Sequence, residues 1–160
     1  MSKTYNVLFL CTGNACRSQM AEGWAKALKS DRLEAFSAGT CPAGLDPLAV
    51  RVMAEAGVDI STQRSKHVME FWNASLDRVI TLCDYAREVC PVSMLPAPAV
   101  HAGFDDPPRL ARQAGTMDEA LAHYRRVRDE IRHLVESLPE SLTQPADPPT
   151  AGHPAGPSPR

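Results

Sequence analysis

A short apolar run, YNVLFL (5–10), breaks into CTGNACRS (11–18), and a helix-patterned segment follows directly. Apolar side chains on both parities of a short run describe a strand buried on both faces. Residues 18–29 then place Met20, Ala21, Trp24 and Leu28 at helical spacing. A buried strand, a glycine-bearing loop and a helix form the opening unit of an α/β fold. In such folds the loop lies at the carboxyl end of a parallel strand, where ligands bind. A loop holding Cys11, Gly13, Asn14, Arg17 and Ser18 packs no core, so it is built to hold something.

The rest of the chain repeats the alternation. LEAFSAG (33–39) reads as a second strand ending in glycine. Asp46 before Pro47 is an N-cap with proline at the first helical position. That helix turns Leu48, Val52 and Ala56 inward and stops at Gly57. LDRVITL (76–82) is a third strand, and PAPAVHAGF (96–104) holds a fourth, short and proline-flanked, as suits an edge. Thr116 and Glu119 form a capping box. The helix they open lines Met117, Leu121, Tyr124, Val127, Ile131 and Leu134 along one face. The expectation is a single α/β domain over residues 1–138, with a four-stranded parallel sheet covered by helices on both sides. Seven of the 14 prolines fall between 139 and 160, so that stretch reads as a disordered tail.

Composition narrows the chemistry. The net charge of −2 lacks the basic footprint of a nucleic-acid binder. No apolar stretch has the length of a membrane span, and no secretory leader is read at the N-terminus, so a cytoplasmic location is expected, and with no extra apolar surface helix in the pattern a monomer is expected. The five cysteines show no C-x-x-C spacing and no histidines at finger spacing, which argues against a zinc site. His67, His101, His123, His133 and His153 carry no metal spacing and read as packing or surface residues. No cofactor is expected.

The loop fits an oxyanion. Backbone N–H groups of Thr12, Gly13, Asn14, Ala15, Cys16, Arg17 and Ser18 can converge on a tetrahedral anion at a helix start. Gly13 is expected to allow close backbone approach, and Arg17 to grip two oxygens with its planar fork. Cys11 faces the same concavity, where N–H dipoles and Arg17 favour its thiolate. Ser18 is placed to hydrogen-bond the sulfur, and Asn14 to brace the loop. Cys16 packs within the loop rather than reacting.

CTGNACRSQMAEGW (11–24) resembles the signature of the low-molecular-weight protein tyrosine phosphatase superfamily, and within it the thioredoxin-coupled arsenate reductases. The likeness runs from about residue 4 to 137 and includes SAGT (37–40), VITLCD (79–84), GFDDP (103–107) and RRVRDEI (125–131). It implies that Cys11 attacks arsenate, with phosphate or sulfate as competing anions. It implies that Cys83 then attacks the Cys11 sulfur, and that Cys90 carries the disulfide outward to thioredoxin. It implies Asp106 as the general acid, leaving Asp105 to structure the loop. A helix between Cys83 and Cys90 would hold their Cα atoms roughly 10 Å apart. A disulfide needs roughly 4.4–6.8 Å, so the segment must rearrange on oxidation.

The chain departs from the family pattern at Ala15, where many relatives have serine, and at Ala102, where many have an aromatic. Some relatives hold potassium with an asparagine, glutamate, serine and aspartate. Asn14, Glu22 and Ser37 match, but Lys66 takes the aspartate's place, so no potassium requirement is expected. Cys41 has no counterpart in the pattern. The rival implied by the same resemblance is a phosphotyrosine-type phosphatase using Cys11, Arg17 and Asp106. Such enzymes usually follow the acidic Asp-Pro with tyrosine, whereas here Pro108 follows Pro107.

Overall fold

The computed structural model describes residues 4–83 and 95–142. Four strands, β1 (Tyr5–Cys11), β2 (Leu33–Gly39), β3 (Arg78–Thr81) and β4 (Ala99–His101), form one sheet in the order β2-β1-β3-β4. All three pairings are parallel. The helices are α1 (Arg17–Leu28), α2 (Pro47–Glu55), α3 (Pro107–Ala111) and α4 (Met117–Glu136), with 3₁₀ turns at Val68–Phe71 and Glu140–Leu142.

Strand β1 is central because its side chains are apolar on both parities. Val7, Phe9 and Cys11 join one buried cluster with the residues of α1, α2 and α4, while Leu8 and Leu10 join another on the opposite face. Burying an aliphatic or aromatic side chain of this kind contributes about 1.5–3 kcal/mol. The second face is covered differently from the first. Among the described residues, its cover comes from the Val68–Phe71 turn and from Leu76, Leu95 and Ala97 rather than from an α-helix.

Helix α2 starts as its sequence indicates: Asp46 Oδ1 accepts from Leu48 N at 2.9 Å, and Gly57 after the helix has a φ of 85°. Its inward residues are Ala49, Val52 and Met53, with Leu48 and Ala56 only partly buried. Helix α4 is capped by Thr116, whose Oγ1 accepts from Glu119 N at 3.1 Å. The reciprocal half of the box is displaced by one residue, since Glu119 Oε2 accepts from Gly115 N. The buried face of α4 is Ala120, Leu121, Tyr124, Val127, Ile131 and Val135, whereas Met117 is exposed. Met117 sits in the first turn, beyond the layer that α1 and α2 can cover. Trp24 Nε1 donates to the Arg128 carbonyl at 3.1 Å, joining α1 to α4.

The packed chain also runs past residue 138. Leu138 and Leu142 are buried in the main core, so residues 139–142, expected in the tail, belong to the domain. Residues 143–160 lie outside the described residues.

Candidate active site

The loop after β1 is shaped by where its carbonyls go. The Thr12, Gly13 and Ala15 carbonyls accept from the backbone N–H groups of Cys41, Ala43 and Asp46 at 2.8, 2.9 and 3.0 Å. The Asn14 carbonyl accepts from Gln19 Nε2 at 2.9 Å. A trans peptide points its C=O and the next residue's N–H in opposite directions. Four carbonyls held from outside therefore turn the N–H groups of Gly13, Asn14, Ala15 and Cys16 inward. The loop also feeds the start of α1, whose first N–H groups have no partner within the helix.

Asn14 is the keystone of this turn. Its φ of 44° is a left-handed conformation that asparagine tolerates better than most residues. Its side chain is fully buried and held on both ends: Oδ1 accepts from Lys66 N at 2.7 Å and Gln19 Nε2 at 3.0 Å, and Nδ2 donates to Ser18 Oγ at 2.8 Å. Because Ser18 Oγ accepts from Asn14, its own proton can point at Cys11 Sγ, 2.9 Å away.

Arg17 is buried, and Nη1 reaches the Leu82 carbonyl at 3.4 Å and the Phe104 carbonyl at 3.2 Å. The ends of β3 and the acid loop thus brace the guanidinium, and Nη2 lies 3.7 Å from Asp106 Oδ1. Asp106 occupies the N-cap position of α3 without capping it through its side chain. Asp105 points elsewhere, to Arg126 Nη2 at 3.0 Å, as a loop-structuring carboxylate should. Cys11, Arg17 and Asp106 line one cavity of about 420 Å³, together with Ala43, Leu45, Pro47 and Pro108.

Cys16 also lines the cavity but is buried. Burial pushes its thiol well above the ordinary range, and the charges of Asp46 and Cys11 push it further, so it stays protonated. Cys41 is exposed on the cavity rim as a free thiol. Cys83 lies two residues beyond β3, with Sγ 3.9 Å from the Leu10 carbonyl oxygen of β1. Cys83 is disulfide-bonded, whereas Cys11, Cys16 and Cys41 are free. Cys90 and the helix considered between it and Cys83 lie outside the described residues.

A second glycine packs against the loop. A Cβ on Gly13 would meet nothing nearer than 3.5 Å, whereas one on Gly39 would sit 2.4 Å from the Thr12 carbonyl oxygen and 2.7 Å from Asn14 N. Gly39, at the end of the neighbouring strand, thus lies in close contact with the backbone of the loop.

Several participants escape sequence reading. Gln19, fully buried on α1, ties Asn14 to the Arg64 carbonyl at 2.9 Å, and Gln63 Nε2 donates to Gln19 Oε1 at 2.8 Å. The signal for Gln19 is a polar residue inside the apolar face that Met20 and Trp24 define. Asp46 reads as a helix cap alone, yet it lines the cavity and its Oδ2 accepts from Tyr124 Oη at 2.5 Å.

Beneath the cradle, Glu22 accepts from Ser37 Oγ at 2.6 Å and Lys26 Nζ at 2.5 Å, with Lys66 Nζ 3.7 Å from Oε1. Burial lowers the Lys66 pKa, and the Glu22 charge opposes that shift. Among the described residues, no group of three or more His, Cys, Asp or Glu is arranged to hold a metal.

The comparisons follow the geometry. An arsenate reductase of Halalkalibacterium halodurans is 45% identical over 135 residues, covering 84% of this chain and 95% of the relative. An arsenate reductase structure in the phosphate binding state superposes with a TM-score of 0.70 at 31% identity, covering 84% of this chain and 96% of the other. A Corynebacterium glutamicum thioredoxin-dependent arsenate reductase superposes with a TM-score of 0.60 at 28% identity, covering 89% of this chain and 65% of the other. The model of the low molecular weight phosphotyrosine protein phosphatases matches residues 6–147, taking in β1, the cradle, the acid loop and every helix that braces them. By that match and these likenesses, the chain belongs to the low molecular weight phosphotyrosine protein phosphatase family.

Proposed function

We propose that this chain reduces arsenate to arsenite through a relay of Cys11, Cys83 and Cys90, with thioredoxin reducing the final disulfide. One observation carries the reading: a cradled thiol lines one cavity with Arg17 and Asp106, while a disulfide-bonded cysteine lies two residues beyond the adjacent strand β3. The likeness to arsenate reductases, one of them named as thioredoxin-dependent, supports it.

The inward N–H groups and Arg17 hold three arsenate oxygens. Cys11 attacks arsenic in line with the fourth, and Asp106 protonates that oxygen as it leaves as water. Cys83 then forms an S–S bond to Cys11. The Cys11–arsenic bond breaks with its electron pair kept by arsenic, which departs as arsenite. Cys90 displaces Cys11 from Cys83, and thioredoxin takes up the resulting disulfide. Arsenate, with phosphate or sulfate as competing anions, enters from solvent. The enzyme works as a cytoplasmic monomer, and no described helix is long and apolar enough to cross a membrane.

Single-turnover assays of the reduced protein test the relay. Cys83→Ser should release no arsenite, and Cys90→Ser should release one equivalent and stall. Wild-type protein after a cycle should show a Cys83–Cys90 peptide by mass spectrometry. Wild-type protein that makes no arsenite, with the Cys83 and Cys90 variants cleaving p-nitrophenyl phosphate rapidly, would establish the second reading. That reading is a phosphatase using Cys11, Arg17 and Asp106, and the family match favours it. Weak phosphatase activity is expected in either case, because the cradle serves both anions.

The cation beneath the cradle gives a second test. Lys66 supplies a half-buried ammonium beside Glu22 and donates from Nζ to the Arg64 carbonyl at 2.6 Å. Activity should be equal in potassium and sodium at matched ionic strength, and Lys66→Ala should create a dependence on added cation. A steep rise of wild-type activity with potassium alone would refute this.

A further inference from the structure

Two aspartates stand side by side in the acid loop, and of the two Asp106 lines the cavity. The usual device for fixing such a side chain is missing. Asp106 does not cap α3 through its carboxylate, and Pro107 and Pro108 leave the first two helical positions without an N–H to offer it. The loop is pinned instead on either side. Toward the sheet, Phe104 N donates to the Leu82 carbonyl at 3.2 Å, and the Phe104 carbonyl accepts from Arg17 Nη1 at 3.2 Å. Toward the helices, Asp105 Oδ2 accepts from Arg126 Nη2 at 3.0 Å, where α3 packs on α4. Arg126 is steadied one turn along α4, its Nη1 lying 3.3 and 3.4 Å from Glu130 Oε1 and Oε2.

The backbone at Asp106 is extended, with φ of −92° and ψ of 102°. Successive side chains on extended backbone point to opposite sides. An Asp105 carboxylate fixed outward on α4 therefore turns that of Asp106 inward, toward Arg17 Nη2 at 3.7 Å. Exposed ion pairs add little to stability, so the Asp105–Arg126 contact is poorly explained as a staple of the fold. We propose that Arg126 is a positioning residue for the general acid: by holding Asp105 on α4 it aims Asp106 at the departing oxygen. This rests on the role given to Asp106 above. No bond changes at Arg126, and the proton still passes from Asp106 to the leaving oxygen. With Arg126 gone, Asp105 is released from α4, and the extended segment no longer has one side chain tied outward to aim the next one inward.

The test sets single-turnover arsenite formation by the reduced full-length protein beside its cleavage of two aryl phosphates. The p-nitrophenolate anion leaves without a proton, whereas phenolate and the oxygen lost from arsenate need one. Arg126→Gln should slow arsenite formation and phenyl phosphate cleavage about tenfold at saturating substrate, part of the roughly 100-fold that a proton donor supplies. Cleavage of p-nitrophenyl phosphate should fall by no more than about twofold. The concentration giving half the maximal rate, and the protection of Cys11 from iodoacetamide by phosphate, should not move, because other contacts anchor the cradle. Asp105→Asn should give the same loss, the double variant no more than either single one, and Arg126→Lys should recover part of the rate. A wild-type rate of Arg126→Gln in arsenite formation and phenyl phosphate cleavage, or an equal loss on both aryl esters, would overturn the assignment. Asp106→Asn without a selective loss on phenyl phosphate would remove the acid, and the role of Arg126 with it. A selective loss in Asp106→Asn alongside a normal Arg126→Gln would remove the positioning role alone.

Discussion

Cys11→Ser should make no arsenite above the uncatalysed background, in any number of turnovers, while binding phosphate nearly as wild type does. The two halves of that result have separate causes. Anion binding comes from inward N–H groups and from Arg17, which is braced by the Leu82 and Phe104 carbonyls and not by the thiol. Reduction requires an atom that can accept arsenic and later yield two electrons in an S–S bond. A serine oxygen cannot be oxidised in that way, so no pH or reductant should restore activity. Phosphate affinity is best read by calorimetry, and arsenite by direct speciation. A phosphate affinity lost together with activity would mean that the sulfur, rather than the carbonyl-anchored loop, organises the cradle. Arsenite formed at a wild-type rate would dismiss Cys11 as the nucleophile.

Gly39→Ala should be the most damaging single methyl added near the site. Its Cβ would fall 2.4 Å from the Thr12 carbonyl oxygen and 2.7 Å from Asn14 N, both backbone atoms that cannot swing aside as a side-chain tip would. Relief requires moving the 12–14 turn, whose Thr12 carbonyl is bonded to Cys41 N and whose Asn14 is held by Lys66, Gln19 and Ser18. Overpacking of this kind costs about 1–3 kcal/mol in stability. A shift of about 1 Å in a reacting group costs about 100-fold in rate. Thermal unfolding and single-turnover rate should therefore both fall. Gly13→Ala, with no contact nearer than 3.5 Å, should unfold at nearly the wild-type temperature. Equal stability of the two variants would show that the loop yields more easily than its hydrogen bonds indicate.

Much of the domain is legible before folding because its signals are local. The β1–loop–α1 unit, the Asp46-Pro47 start of α2, the left-handed Gly57 and the Thr116 cap each depend on residues a few positions apart. Periodicity of α4 places Leu121, Tyr124, Val127 and Ile131 inward correctly, but not Met117. A helix's apolar stripe does not say where its neighbours end. The 3₁₀ turn at Val68–Phe71 has no strong local pattern and goes unread.

The sequence by itself determined the cysteine-bearing loop, its arginine and serine, and the alternation that makes a parallel sheet, because each is set by near neighbours. Only the tertiary structure decided which groups hold that loop open. Gly39 stands 28 positions from Cys11 yet pairs with it across β1 and β2. Gln63, Lys66 and Asp46 likewise reach the cradle from afar. His101 meets Thr81 only because β4 lies beside β3. Contacts of this kind follow from strand order and register, which fix distances that separation along the chain does not encode.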